Sequence, residues 1–203
     1  MNHLAHALLA GTDPQRQLGG FLGDFVRGRI ERLELPAGVR DGVALHRAID
    51  RFTDAHAEVA AARARFAPPL RRYAGIVLDM AFDHWLARDF ACWSARPLAA
   101  FARQWRAGLH ANETWLPPPA RRLLAYMDEH DLPAGYADGD ILARALTDLG
   151  RRLAHANPLD RAWPAVQADE AALRGHLRRF FPALQRHVAA WRPDAAAVAG
   201  AHG

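Results

Sequence analysis

The segment Ile76 to Ala87 carries two carboxylates, Asp79 and Asp83, one helical turn apart, with His84 beside the second. The rest of that helical wheel is nearly all apolar: Ile76, Met80 and Ala87 cluster at one angle, Leu78 and Trp85 lie opposite, and Phe82 and Leu86 close the circle. Such a helix is expected to be buried, and its carboxylates with it. A buried carboxylate is unstable unless a cation, hydrogen-bond donors or a proton meets it. Arginine ion pairs or helix capping would serve; a metal ion is the preferred reading.

A second constellation lies in Leu45-His46-Arg47-Ala48-Ile49-Asp50-Arg51-Phe52-Thr53-Asp54. Leu45, Ile49 and Phe52 form a core stripe, and His46 and Asp50 run along its edge at i,i+4, from which two ligands can reach one ion. An ordinary edge pair backed by Arg47 and Arg51 is the alternative. A third is Leu18-Gly19-Gly20-Phe21-Leu22-Gly23-Asp24-Phe25-Val26-Arg27-Gly28. Each glycine inside a helix costs about 1 kcal/mol relative to alanine, so close approach of a helix or a ligand must justify them. Asp24 sits at the centre of this bare face, and Arg27 lies where it can hold a phosphate oxygen. His3 and His6, a turn apart, add imidazoles. Mixed imidazole and carboxylate donors without thiolates suit Mn²⁺, Mg²⁺ or Fe²⁺ better than structural zinc. The chemistry expected is metal-assisted hydrolysis of a phosphate ester.

The elements that must position these groups are helical. Ala, Leu and Arg dominate, alternating strand patterns are lacking, and prolines fall mostly between segments of period near 3.6. Helices are predicted at about 2–10, 15–27, 37–55, 57–66, 69–91, 97–112, 118–129, 139–155 and 160–191. The expectation is a compact all-α, multi-helix single domain over residues 1–192, with a disordered tail at 193–203. In the last helix Leu173, Leu177, Phe180, Leu184, Val188 and Trp191 form a core stripe. Residues 100–203 offer no comparable chemical constellation.

With 203 residues, 51% hydrophobic and 24% charged, the chain can bury a core, which excludes disordered and fibrous classes. No apolar run approaches the roughly 20 residues of a membrane span, and the opening Met1-Asn2-His3-Leu4-Ala5-His6 lacks a basic signal start, so a cytoplasmic protein is expected. Cys92 is the lone cysteine, expected to be a small buried hydrophobe. All 26 basic residues are arginine, against 22 acidic, for a net charge of +4. Lysine chemistry is excluded, and guanidinium groups suit phosphate or carboxylate partners.

In combination, Met1-Asn2 with Leu4-Ala5-His6, Gly23-Asp24-Phe25-Val26-Arg27-Gly28, His46-Arg47 with Ile49-Asp50 and Thr53-Asp54, and Asp79 with Asp83-His84 resemble the acyl carrier protein phosphodiesterase family, a divergent branch of the HD-type metal phosphohydrolases. The resemblance implies an all-helical, HD-domain-like fold. It also implies manganese-dependent cleavage of the phosphodiester that joins 4′-phosphopantetheine to a serine of holo-acyl carrier protein. On it, His6, Asp24, His46, Asp79, Asp83 and His84 are candidate metal ligands, and Asp24, Asp50 and Arg27 candidate catalytic groups. Arg27, Arg47, Arg51 and Asp54 are candidate substrate contacts. Two positions depart from the family pattern: many relatives carry an aromatic residue where His3 stands and an asparagine where Gly20 stands. An acidic carrier suits an arginine-rich surface, and Arg27, Arg29, Arg32, Arg47 and Arg51 crowd the acidic motifs. The alternatives are a metal-dependent phosphohydrolase of a nucleotide or other small phosphodiester, and a non-enzymatic arginine-rich module that binds an acidic protein. No helix-turn-helix or dense basic helix points to nucleic acid.

Overall fold

The computed structural model describes residues 2–193 and, among them, ten α-helices and no strand. In chain order these are α1 His3–Leu9, α2 Pro14–Leu22, α3 Ala37–Ala55, α4 Ala57–Ala64 and α5 Ala74–Arg88, then α6 Leu98–His110, α7 Pro118–Glu129, α8 Gly139–Arg152, α9 Ala162–Ala168 and α10 Glu170–Ala190. Punctuation in the sequence starts several of them. Asp13 caps α2, accepting from the Gln15 and Arg16 N–H groups at 2.9 and 3.3 Å, with Pro14 at the first helical position. Pro36 and Pro117 stand immediately before α3 and α7, and Asp138 caps α8.

The apolar α5 forms the middle of the molecule, packed against α1, α4, α8 and α10, and Val77, Leu78, Phe82, Trp85 and Leu86 are sealed from solvent. Phe82 and Phe180 join α5 to α10 within the aromatic core. Salt bridges Arg88–Glu170 and Arg174–Asp89 fasten the same two elements from outside. The expected stripe on α10 holds: Leu173, Leu177, Phe180 and Leu184 are buried, and Val188 and Trp191 pack against them from the edge.

The closest helix crossing is that of α2 and α3. A Cβ on Gly19 would stand 2.0 Å from the Val39 carbonyl and 2.7 Å from the Gly42 Cα, so only glycine permits it. The crossing fixes the register of α3 against the end of α2, where Asp24, His46 and Asp50 meet.

Three helices depart most from the sequence reading. The second was expected to reach residue 27 but stops at Leu22, where the Phe25 and Val26 N–H groups both turn back to the Leu22 carbonyl. The fifth, expected over 69–91, is confined to Ala74–Arg88 between 3₁₀ turns at Leu70–Tyr73 and Phe90–Cys92. The last breaks at Asp169, whose carboxylate is held by Arg65 of the chain following α4. Cys92, expected to be buried, is exposed, because it closes the short turn after α5. Ile76 is also a departure, an exposed large hydrophobe on a helix whose other large hydrophobes are buried. Apart from Trp191, Arg192 and Pro193, the chain beyond α10, including nearly all of the expected tail, lies outside the described residues. No described helix is long and apolar enough to cross a membrane.

Candidate metal centre

Helices α1 and α3 each bring an imidazole to one point. The rings of His6 and His46 stack with centroids 4.0 Å apart and planes 17° from parallel, and both are buried. Asp50, a turn after His46, reaches both: its Oδ1 lies 3.2 Å from His6 Nε2 and its Oδ2 3.0 Å from His46 Nε2. One donor atom from each of His6, His46 and Asp50 falls within 4.8 Å of the others, close enough to share an ion. Asp24, on the loop after α2, faces the same point, with Oδ1 3.6 Å from His46 Nε2 and Oδ2 3.8 Å from His3 Nδ1.

Local structure explains this aim. The His46 Nδ1–H donates to the Gly20 carbonyl at 2.8 Å, which leaves Nε2 as the atom presented to the carboxylates. Gly23 is the seat for that ring, since a Cβ there would come within 2.2 Å of His46 Cγ. Of the three glycines for which the sequence implied close approach of a helix or a ligand, Gly19 serves helix packing and Gly23 serves the histidine, whereas Gly20 has nothing nearer than the His6 carbonyl at 3.9 Å from a Cβ.

Electrostatics separate the members. Burial drives His6 down to about 4 despite the Asp50 carboxylate beside it, so it is a neutral ring at ordinary pH. Burial also pushes His46 down, but Asp50, Asp24 and the Gly20 carbonyl outweigh it and hold the ring above its usual range. Asp50 is pushed up by burial and pulled well below the carboxylate range by His46 and His6. The His6 Nδ1 and Nε2 atoms are buried without a hydrogen bond of good geometry. A buried neutral imidazole in that state beside an ionised carboxylate is a donor set that fits a divalent cation.

The other predicted ligands lie elsewhere. Asp83 points at the start of α1 and accepts from the Leu4 and Ala5 N–H groups at 2.7 and 3.1 Å. It is a helix cap supplied from 79 residues away, the capping alternative raised by the sequence. Burial raises it to about 7 against the opposing pull of the two N–H donors. His84 donates from Nδ1 to the Tyr136 carbonyl at 2.6 Å and stands edge-on to Trp163. Asp79, raised by burial, faces a cavity rather than the histidines.

Arg47 donates to the Gly28 and Val26 carbonyls at 2.8 and 3.3 Å, so it braces the loop that carries Asp24. Asp54 is paired with Arg63 at 2.7 Å. Arg27, Arg29, Arg32 and Arg51 are exposed. His3, whose one-turn spacing from His6 was noted in the sequence but which was left out of the candidate ligands as a departure from the family pattern, lies beside Asp24.

Beside the centre opens a cavity of about 650 Å³, whose wall includes His3 and Asp24. It continues over Phe25, Ile76, Asp79 and Met80 to α7, α8 and Tyr136.

Residues 1–184, which hold the whole cluster and the whole cavity wall, match the family model described as acyl carrier protein phosphodiesterase. The chain belongs to that family. An acyl carrier protein phosphodiesterase of Klebsiella pneumoniae (strain 342) is 33% identical over 187 residues, 92% of this chain and 96% of its own. One from Escherichia coli O157:H7 (strain EC4115 / EHEC) is 33% identical over 185 residues, covering 91% and 95%. One from Salmonella agona (strain SL483) is 32% identical over 190 residues, covering 93% and 98%. No solved structure matches the chain. In this member of the acyl carrier protein phosphodiesterase family, α1, α3 and the loop after α2 carry the clustered imidazoles and carboxylates, and α5 caps α1 through Asp83.

Proposed function

We propose that the protein is a hydrolase that cleaves the phosphodiester between 4′-phosphopantetheine and the serine of holo-acyl carrier protein, releasing the apo carrier. The observation that carries the proposal is the convergence of His6, His46 and Asp50 on one point beside the exposed carboxylate of Asp24, in a chain of this family. His6, His46 and Asp50, with Asp24 at the rim, would hold a divalent cation, manganese being the expected one and magnesium or iron(II) the alternatives. Such an ion, when bound, acidifies water and neutralises charge on a phosphoryl oxygen.

The side chains do the rest. The Gly20 carbonyl fixes the His46 tautomer, and Asp50 orients both imidazoles. Asp24, about half exposed, accepts the proton of the attacking water; the oxygen of that water bonds to phosphorus as the bond to the serine oxygen breaks, and the serine oxygen takes a proton from solvent to leave as the hydroxyl. Arg27, three residues on, supplies positive charge for the phosphoryl oxygens. The exposed Arg29, Arg32 and Arg51 meet the acidic carrier, steering encounter more than fixing affinity. Kinship to HD-type metal phosphohydrolases is part of this reading, supported by an imidazole and carboxylate cluster between helices of an all-α fold.

The test incubates metal-stripped protein with holo-acyl carrier protein, with and without Mn²⁺, and reads the carrier's mass. Manganese-dependent loss of the phosphopantetheine arm is expected. An unchanged carrier, with manganese bound to the protein, would rule the substrate out.

A further inference from the structure

The cavity beside the metal centre has a shape and lining that the hydrolytic residues do not use. His3 and Asp24 belong to both, so the cavity begins where the scissile phosphorus must sit. Its volume of about 650 Å³ falls within the range of roughly 300–1,000 Å³ common to small-molecule sites. Phe25, Ile76, Met80, Leu123 and Leu149 give it apolar surface, while Asn2, Tyr126 and Tyr136 add polar groups. Ile76 is 37% exposed, although the other large hydrophobes of its helix are buried. A large hydrophobe left open on the wall of a concave site next to a reaction centre marks a surface that a ligand covers.

We infer that this cavity receives the pantetheine arm of the substrate. The inference rests on the phosphodiesterase reading above. A phosphodiester has two substituents, and in this substrate they differ in girth. One is a serine on the surface of a folded carrier, which cannot enter a cavity of this size. The other is a slim flexible chain, with a geminal dimethyl group and methylenes to lie on Ile76, Met80, Leu123 and Leu149. Its hydroxyl and two amides need polar partners of the kind that Asn2, Tyr126 and Tyr136 provide. The division assigns α1, α3 and the loop after α2 to bond cleavage. It assigns α5, α7 and α8 to recognition of the group released.

The experiment titrates the protein with pantetheine, which lacks the phosphate and so needs neither an ion nor turnover, and follows the methyl resonances of Ile76, Met80, Leu123 and Leu149. Saturable shifts of these methyls are expected. Leu149→Trp, which narrows the cavity from a partly exposed position, should weaken pantetheine binding at least tenfold. It should also raise KM for the holo carrier by more than it lowers kcat. Ile76→Trp provides the same obstruction from the exposed wall should the first variant fold poorly. Methyls that stay unmoved while wild-type protein hydrolyses the holo carrier would overturn the arm assignment and leave the phosphodiesterase reading intact. Wild-type protein that leaves the holo carrier whole would overturn both.

Discussion

Two helices of this protein carry polar pairs at the same spacing, His46 with Asp50 on α3 and Asp79 with Asp83 on α5, and the two pairs end in different employment. On α3 both members converge with His6 on one point. On α5 the pair divides: Asp83 turns to the N–H groups that open α1, and Asp79 faces the cavity. A separation of i,i+4 states that two side chains share a face. What stands opposite that face decides their chemistry. The open N–H groups of a helix start are a ready partner for a buried carboxylate, since they combine unpaired donors with the positive end of the helix dipole. The two pairs are still linked, because the helix that Asp83 caps is the one that delivers His3 and His6.

Substitutions can pull the two pairs apart. Asp50→Ala should reduce hydrolysis by on the order of 10³-fold, about 4 kcal/mol of transition-state stabilisation, and should abolish Mn²⁺ binding with the fold retained, as steady-state assays and thermal melts on one preparation would show. Equal losses in Asp50→Ala and Asp83→Ala would erase the distinction. Asp83→Ala strands the Leu4 and Ala5 donors in the core and should destabilise by about 2–4 kcal/mol, a fall of roughly 5–15 °C in Tm. Its folded fraction should still bind Mn²⁺ well below the transition.

Gly23→Ala drives a methyl into the His46 ring and should lower activity by about 10²-fold, with about 1–3 kcal/mol of stability lost. The smallest effect is expected from Gly20→Ala, where a Cβ has room: activity within a few-fold, and stability raised by about 0.4–1 kcal/mol in a denaturant titration. A severe defect in Gly20→Ala together with a mild one in Gly23→Ala would reverse the roles given to the two glycines.

Local patterns were legible where their partners are close in the chain or the pattern is periodic. The α3 stripe and the i,i+4 pair on its edge follow from one stretch of sequence, and so does the apolar wheel that buries α5. Asp83 shows what such a pattern leaves open. Its need for a positive partner was evident, but the partner lies 79 residues away and is backbone, which carries no residue code. The second helix was read too long because its glycine face, centred on Asp24, was read as continuing the helical wheel, whereas the Phe25 and Val26 N–H groups both turn back to the Leu22 carbonyl and close the helix there.

The back of the molecule appeared chemically silent. Its contribution is a wall spread over Pro119, Arg122, Leu123, Tyr126, Leu149 and Arg152, with no spacing that marks it in one dimension. His84 illustrates the same limit: beside an aspartate it looked like a ligand, and in the fold it ties α5 to the Tyr136 carbonyl.

The proposed ion would be held by the α3 pair and His6 rather than by the α5 pair. Calorimetric titration of Mn²⁺ into metal-free wild type, Asp50→Ala and Asp83→Asn tests it most directly. Binding by wild type and Asp83→Asn, with none by Asp50→Ala, is the predicted result. Binding retained in Asp50→Ala and lost in a folded Asp83→Asn would contradict it.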